Sequence, residues 1–319
     1  MVAVLGTRYE DLSIEEDVLE ALEPTIVSGD GSTAEGILQV AAGADVVLAG
    51  SGPRFDADVL SDLSCAAIVR YGVGTESIDL EVAARRGMWV VSVPDYGTEA
   101  VSFHAFTMAA AALRRVPQAD ASVKKGAWGF RALRPLHLPS ALTAAVIGFG
   151  RIGRRTAALF ARAGFAVLAH DPFTVVEVEA GVRGASLEEV LAEADVVSLH
   201  APARVEGEPM LGATELSKMK AGSILVNTAR GSLVDLGSLV EGLRKGRPAI
   251  AALDVYPNEP PDVTIFEPVA DRLVLSPHMA WYTEESERDL REKAAHEARR
   301  VLQGERPLNP VATPEGVTA

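Results

Sequence analysis

The residues with the clearest chemical potential lie in the second half of the chain. Gly148-Phe149-Gly150-Arg151-Ile152-Gly153 follows directly on the apolar run Leu142-Thr143-Ala144-Ala145-Val146-Ile147. Three glycines at this spacing suit a phosphate cradle. The first permits a tight turn, the second lets backbone approach a pyrophosphate, and the third lets helix and strand pack closely. Arg151 and Ile152 would open the helix whose free N–H groups face the phosphates. Asp171 ends the next strand-like run, at roughly the twenty-residue distance where a carboxylate takes the ribose hydroxyls. Such a carboxylate repels a 2′-phosphate, and no Lys or Arg follows in Pro172-Phe173-Thr174, so NAD is favoured over NADP. A flexible glycine turn and a strand-ending aspartate are the plainer alternatives. The strand, loop, helix and second strand nevertheless stand in the required order. Further on, Arg230, Glu259 and His278 each fall at the carboxyl end of a predicted strand, where open α/β sheets place their ligands. One Arg or His after a strand is usually structural; the three together downstream of a dinucleotide loop point to a reactive site.

The elements that must position these residues are legible from period and length. Short β-branched runs at 2–5, 25–27, 46–48, 66–69 and 89–93 alternate with stretches of helical spacing at 14–22, 33–41, 57–63 and 80–86. A second series begins at 142–147 and repeats at 166–169, 196–199, 223–226, 250–253 and 273–275. These are near-continuous apolar runs, which is what strands buried on both faces of a parallel sheet require. The rhythm predicts an α/β chain of parallel sheets covered by helices. Between the two series, an Ala-rich helical segment at 99–114 leads to an aromatic and basic stretch at 128–137 with no clear period, read as an extended arm. The last strong helix, Glu284–Leu302, ends before Gly304 and Pro307.

The chain has 319 residues, long for a single core, so two domains are expected. A formal charge of −14 argues against nucleic acid or an anionic membrane as a partner, because both call for a basic face. Cys65 is the one cysteine and sits in an apolar run, which suits a core position better than a nucleophile. With no basic leader and no apolar run of membrane-spanning length, the expected location is the cytoplasm. His104 and His200 show no metal-ligand spacing with other His or Cys, and both read as structural; no metal is expected.

Taken with Arg70-Tyr71-Gly72-Val73-Gly74, Val93-Pro94-Asp95-Tyr96-Gly97-Thr98-Glu99 and Ser276-Pro277-His278-Met279-Ala280-Trp281-Tyr282, these motifs resemble the D-isomer-specific 2-hydroxyacid dehydrogenases over nearly the whole chain. Within that family they are most similar to the branch containing the C-terminal-binding proteins and their bacterial relatives. The resemblance implies a Rossmann NAD-binding domain, 98–282, inserted into a flavodoxin-like substrate domain made of 1–97 and 283–319. Composition alone would have divided the chain into two successive halves. It also implies NAD(H) as cofactor, a small 2-keto or 2-hydroxy acid as substrate, and a homodimer formed through the NAD-binding domain.

By the same resemblance His278 is the proton donor to a keto oxygen, with an imidazole suited to acid–base work near neutrality. Glu259 favours its protonated form and fixes its tautomer, and Arg230 holds the substrate with a planar charged fork. The cofactor would touch Gly148, Gly150, Arg151, Ile152, Gly153, Asp171, His200, Ala201, Pro202, Thr228, Ala229, Arg230, Asp254 and His278. The substrate would meet Tyr71, Gly72, Val73, Gly74, Arg230, His278 and Trp281. Trp281 either lines the substrate pocket or packs between domains. Where the family commonly has Asp-Asn after the first glycine loop, this chain has Glu76-Ser77, which bears on that loop's geometry. Two other readings stay open: an NAD(H)-sensing interaction protein like the C-terminal-binding proteins, and a phosphoglycerate- or hydroxypyruvate-type dehydrogenase.

Overall fold

The computed structural model describes residues 1–7, 9, 11–174, 181–204 and 208–317. Its strands are β1 (Val2–Leu5), β2 (Ile26–Gly29), β3 (Val46–Ala49), β4 (Ala67–Arg70), β5 (Trp89–Val91), β6 (Thr143–Ile147), β7 (Ala166–His170), β8 (Val182–Gly184), β9 (Val196–Leu199), β10 (Ile224–Asn227), β11 (Ile250–Leu253), β12 (Leu273–Leu275) and β13 (Pro310–Ala312). The helices are α1 (Ser13–Leu19), α2 (Ala34–Ala41), α3 (Ala57–Asp62), α4 (Leu80–Arg85), α5 (Thr98–Leu113), α6 (Val116–Lys124), α7 (Arg151–Arg162), α8 (Leu187–Glu193), α9 (Ala213–Lys218), α10 (Leu236–Lys245) and α11 (Glu284–Leu302). The chain divides into two compact units, residues 1–97 with 283–319, and residues 98–282.

The first unit holds a sheet in the order β2-β1-β3-β4-β5-β13, parallel except where β13 runs against β5. Every residue of β1, β3 and β4 is buried, as their unbroken apolar runs require when helices cover both faces. Side-chain caps start α2, α3 and α4: Thr33, Asp56 and Asp79 accept from the N–H groups of Gly36, Val59 and Val82 at 3.0, 3.1 and 3.0 Å. The strand β13 is not foreseen from the sequence. It is three residues long, and it is held from behind by Glu297 of α11, which accepts from the N–H groups of Leu308 and Asn309 at 2.9 and 3.2 Å. Cys65 lies just before β4 rather than within it, and burial pushes its thiol up to about 11, so it stays an inert part of the core.

The second unit holds a fully parallel sheet in the order β8-β7-β6-β9-β10-β11-β12. Successive strands leave β6 in opposite directions, β7 and β8 to one side and β9 to β12 to the other. The crevice between the ends of β6 and β9 is therefore the switch point where such sheets take nucleotides. The sequence reading misses β8, whose Val182-Arg183-Gly184 carries too little apolar pattern to register. Helix α8 begins in a capping box formed by Ser186 and Glu189, and α10 runs from the cap at Asp235 to a left-handed Gly246. The 128–137 arm has no α-helix or strand, only a short 3-10 turn at Arg131–Leu133, and it leaves Trp128 92% exposed. Among the described residues no helix is long and apolar enough to cross a membrane.

Candidate active site

At the end of β6 the glycine loop is shaped by what cannot fit there. A Cβ on Gly153 would lie 2.0 Å from the carbonyl oxygen of Gly148, and one on Gly148 would lie 2.5 Å from the carbonyl of His200, so strand, loop and α7 close on one another. Gly150 is the opposite case: a Cβ there would meet nothing within 4 Å. The loop is thus tight on the protein side and open at its middle glycine. Arg154 stacks its guanidinium 4.4 Å above the Phe149 ring, which braces the loop from the first turn of α7. Arg151 is exposed and Ile152 half-buried at the helix start.

Asp171 fastens this loop to the end of β7. One carboxylate oxygen accepts from the N–H of Phe149 at 2.7 Å, and the other accepts from the N–H groups of Phe173 and Thr174 at 2.8 and 3.0 Å. Partial burial acts to raise its pKa, but these backbone donors outweigh it and hold the carboxyl below the ordinary aspartate value. His200, at the end of β9, is kept neutral because burial pulls its imidazole down to about 3. Its Nε2 lies 2.9 Å from the Ser198 hydroxyl. Ala201 and Pro202 follow it, half-buried and exposed.

The ends of β10, β11 and β12 bring the other predicted residues into the same unit. Asn227, 1% exposed, braces the Arg230 turn: its Oδ1 accepts from the N–H of Ala229 at 3.1 Å and its Nδ2 donates to the Arg230 carbonyl at 2.8 Å. Thr228 carries a buried hydroxyl with no protein partner. Gly231 must be glycine, because a Cβ would sit 1.9 Å from the carbonyl carbon of Tyr256. That contact presses the Arg230 turn against the turn bearing Glu259. Glu259 accepts from the N–H of Tyr256 at 3.0 Å through Oε1 and meets Nδ1 of His278 at 2.6 Å through Oε2. The carboxylate requires a proton on Nδ1, so Nε2 is the nitrogen that this contact leaves unused.

His278 itself is held at a positive φ of 52°, a left-handed conformation uncommon for a residue with a side chain. What maintains it is Asp254. This residue, expected at the cofactor, is wholly buried and grips the His278 loop. Its carbonyl accepts from the N–H of His278 at 2.8 Å. Its carboxylate accepts from the Ser276 hydroxyl at 2.6 Å and the N–H groups of Met279 and Ala280 at 3.0 and 2.9 Å. His104 of α5 completes the cluster, with Nε2 3.1 Å from Ser276 Oγ. Trp281, half-buried, meets the Tyr282 ring edge-on at 5.7 Å.

The glycine loop after β4 belongs to the first unit and forms a separate feature. Its carbonyls are tied: Gly72 accepts from the N–H of Val93 at 3.0 Å and Gly74 from Nε of Arg70 at 2.9 Å. Among the described residues nothing accepts from the successive N–H groups of Gly72, Val73 or Gly74. The Tyr71 ring is buried and its hydroxyl donates to Glu15 at 2.8 Å.

Comparison with known proteins gives this geometry a family. Residues 106–280 match the family model described as D-isomer specific 2-hydroxyacid dehydrogenase, NAD binding domain. The chain belongs to the D-isomer-specific 2-hydroxyacid dehydrogenases. Among members of the family, the glyoxylate reductase of Aeropyrum pernix is 36% identical over 86% of this chain and 85% of its own. The D-3-phosphoglycerate dehydrogenase of Methanocaldococcus jannaschii is 33% identical over 98% of this chain, but this chain spans only 60% of that protein; for the Archaeoglobus fulgidus protein of the same name the share is 46%. The solved structure of the TT0316 protein from Thermus thermophilus superposes with a TM-score of 0.88 at 32% identity, covering 98% of this chain and 100% of that one. The D-lactate dehydrogenase of Aquifex aeolicus, solved with NAD and lactic acid, gives 0.85 at 27% identity over 99% and 100%.

The second unit is accordingly the family's NAD-binding domain, and its residues fit that cofactor. The open space over Gly150, the exposed start of α7 and the partnerless Thr228 hydroxyl are polar provisions that the protein itself does not use. The supporting roles of Asn227, Gly231, Ser276 and His104 are not visible in the sequence. Only Gly231, adjacent to Arg230, carries a signal that could have found it.

Proposed function

We propose that the chain is an NAD-dependent D-2-hydroxyacid dehydrogenase, acting as a reductase of a small 2-keto acid, with Arg230, Glu259 and His278 as its catalytic group. The observation that carries this reading is the 2.6 Å contact of Glu259 with His278 Nδ1 on a strained, tightly gripped turn. When bound, NADH would supply hydride to the keto carbon. His278 delivers a proton from Nε2 to the oxygen on which charge develops, and Glu259 holds the ring in place through Nδ1. The Arg230 guanidinium orients carboxylate and carbonyl. The amides of Gly72, Val73 and Gly74 take the substrate carboxylate, and Trp281 borders the side chain of the acid. Asp171 holds the ribose hydroxyls and disfavours NADP.

The test is NADH oxidation against a panel of glyoxylate, pyruvate, hydroxypyruvate, 3-phosphohydroxypyruvate, phenylpyruvate and 4-methylthio-2-ketobutyrate. Turnover of at least one acid is expected, at least tenfold slower in kcat/KM when NADPH replaces NADH, a difference of about 1.4 kcal/mol. Oxidation with none of them would overturn the reading in favour of an NADH-sensing protein, and a preference for NADPH would overturn the role of Asp171.

Acidic charge and sparse cysteine usage support a cytoplasmic location. A homodimer through the NAD-binding domain is supported by the exposed apolar side chains of Trp128, Phe130 and Leu138 on one short arm. Sedimentation at micromolar concentration is expected to show a dimer, and Trp128→Ser with Phe130→Ser to shift it toward monomer; a monomeric wild type would contradict this.

A further inference from the structure

We infer that Tyr71 is a positioning residue: its phenol, tied to a buried Glu15–Arg291 ion pair, fixes the Gly72-Val73-Gly74 turn at which the substrate carboxylate is held. This rests on the reading above, which gives that turn to the substrate. All the residues concerned lie in the first unit.

Three ionisable side chains meet where water does not reach. Glu15 of α1 is fully buried, and Arg291 of α11 and Tyr71 are nearly so. Glu15 Oε1 accepts from the Tyr71 hydroxyl at 2.8 Å and from Arg291 Nε at 3.0 Å, while Oε2 accepts from Arg291 Nη2 at 2.6 Å. Arg291 donates also to the Asp11 carbonyl at 2.8 Å and lies 4.5 Å over the Tyr9 ring, which meets Tyr71 edge-on at 5.2 Å. Burial, and after it the Glu15 carboxylate, raise the Tyr71 phenol well above its ordinary pKa, so it remains a donor throughout the working range.

An apolar side chain would fill the same space, so the polar arrangement calls for a purpose beyond packing. Its geometry supplies one. A phenol with a single hydrogen bond to a fixed carboxylate oxygen has one allowed ring direction, and that direction sets the Cα of Tyr71, the residue from which the turn departs. The Tyr71 N–H is pinned to the Ala49 carbonyl at 2.9 Å. The turn is therefore fixed from both its backbone and its side chain at the entry, and by Arg70 at Gly74. Gly72 sits at φ 141° and cannot stiffen the turn by itself, having no Cβ to restrict it. Rigidity must be imported from a neighbour, and Tyr71 is the neighbour with an anchor.

Tyr71→Phe removes one O–H and leaves both Arg291 contacts to Glu15 in place, so the fold survives the test. Kinetics are run with glyoxylate, whose only functional groups are a carboxylate and a carbonyl, or with the fastest acid of the panel if glyoxylate is refused. The expected result is a KM raised about tenfold, with kcat and the Kd for NADH within twofold of wild type, since the cofactor belongs to the other unit. Amide hydrogen exchange over residues 70–79 should quicken while the α11 peptide stays unchanged. An unchanged KM, or a fall in kcat with KM constant, would overturn the inference. A wild type that reduces no acid at all would overturn the functional reading itself, a result distinct from an active enzyme indifferent to Tyr71.

Discussion

Replacing His278 with asparagine is expected to lower turnover by about 10² to 10⁴-fold while leaving the Kd for NADH within about twofold. An asparagine can occupy the His278 turn and still donate toward Glu259, but it has no second nitrogen that can carry and release a proton. The effect should fall on kcat, because proton delivery occurs only as charge develops on the substrate oxygen. The turn itself should persist, since the Asp254 carbonyl holds the residue through its backbone N–H rather than its ring. Asparagine is also among the residues that tolerate a left-handed φ, which makes it a gentler replacement than alanine at 52°. NADH binding by fluorescence titration and single-turnover reduction by stopped flow separate the two quantities. Unchanged turnover would remove His278 from the chemistry.

The second large effect concerns two glycines that differ in their surroundings. Gly153→Ala would place a methyl group 2.0 Å from the Gly148 oxygen, a backbone atom that cannot swing aside. Loop or helix must move, at a cost of about 1 to 3 kcal/mol typical of overpacking. The variant should lose NADH binding by at least about a hundredfold and melt several degrees lower. Gly150→Ala meets no protein atom within 4 Å. It should melt as the wild type does, yet still bind NADH at least about tenfold more weakly, because its methyl group enters the space reserved for pyrophosphate. Differential scanning fluorimetry beside a binding titration checks both. If Gly150→Ala binds NADH normally, the loop does not hold the phosphates.

These contrasts also show what a linear reading can and cannot recover. The glycine loop is visible because its three roles are set by neighbours a few residues away. The buried strands are visible because two covered faces leave an unbroken apolar run. The ends of β10, β11 and β12 stand out because Arg230, Glu259 and His278 are polar where the strand pattern stops. Harder to see is the structural work of Asp254, a residue that the family resemblance gives to the cofactor. Its hold on Ser276, Met279 and Ala280 depends on β11 lying beside β12, a fact of sheet order rather than of spacing. Short elements with little apolar pattern also escape: Val182-Arg183-Gly184 of β8 and Pro310-Val311-Ala312 of β13 lack the unbroken apolar run that marks the equally short β5 and β12. The inward turn of the Tyr71 ring is hidden for a related reason, since its partner stands 56 residues away.

The ion pair of Glu15 with Arg291 spans 276 positions of sequence. During synthesis the cation that neutralises Glu15 is made only after the whole of residues 98–282 has been translated. The NAD-binding domain is contiguous and can collapse as soon as it leaves the ribosome, domains generally folding as units in the order they appear. The first unit has to wait, with an acidic helix and five strands but no α11 to cover them. Closing so long a loop is slow even when it is thermodynamically cheap. The first unit can therefore close its ion pair only after the second unit has been made.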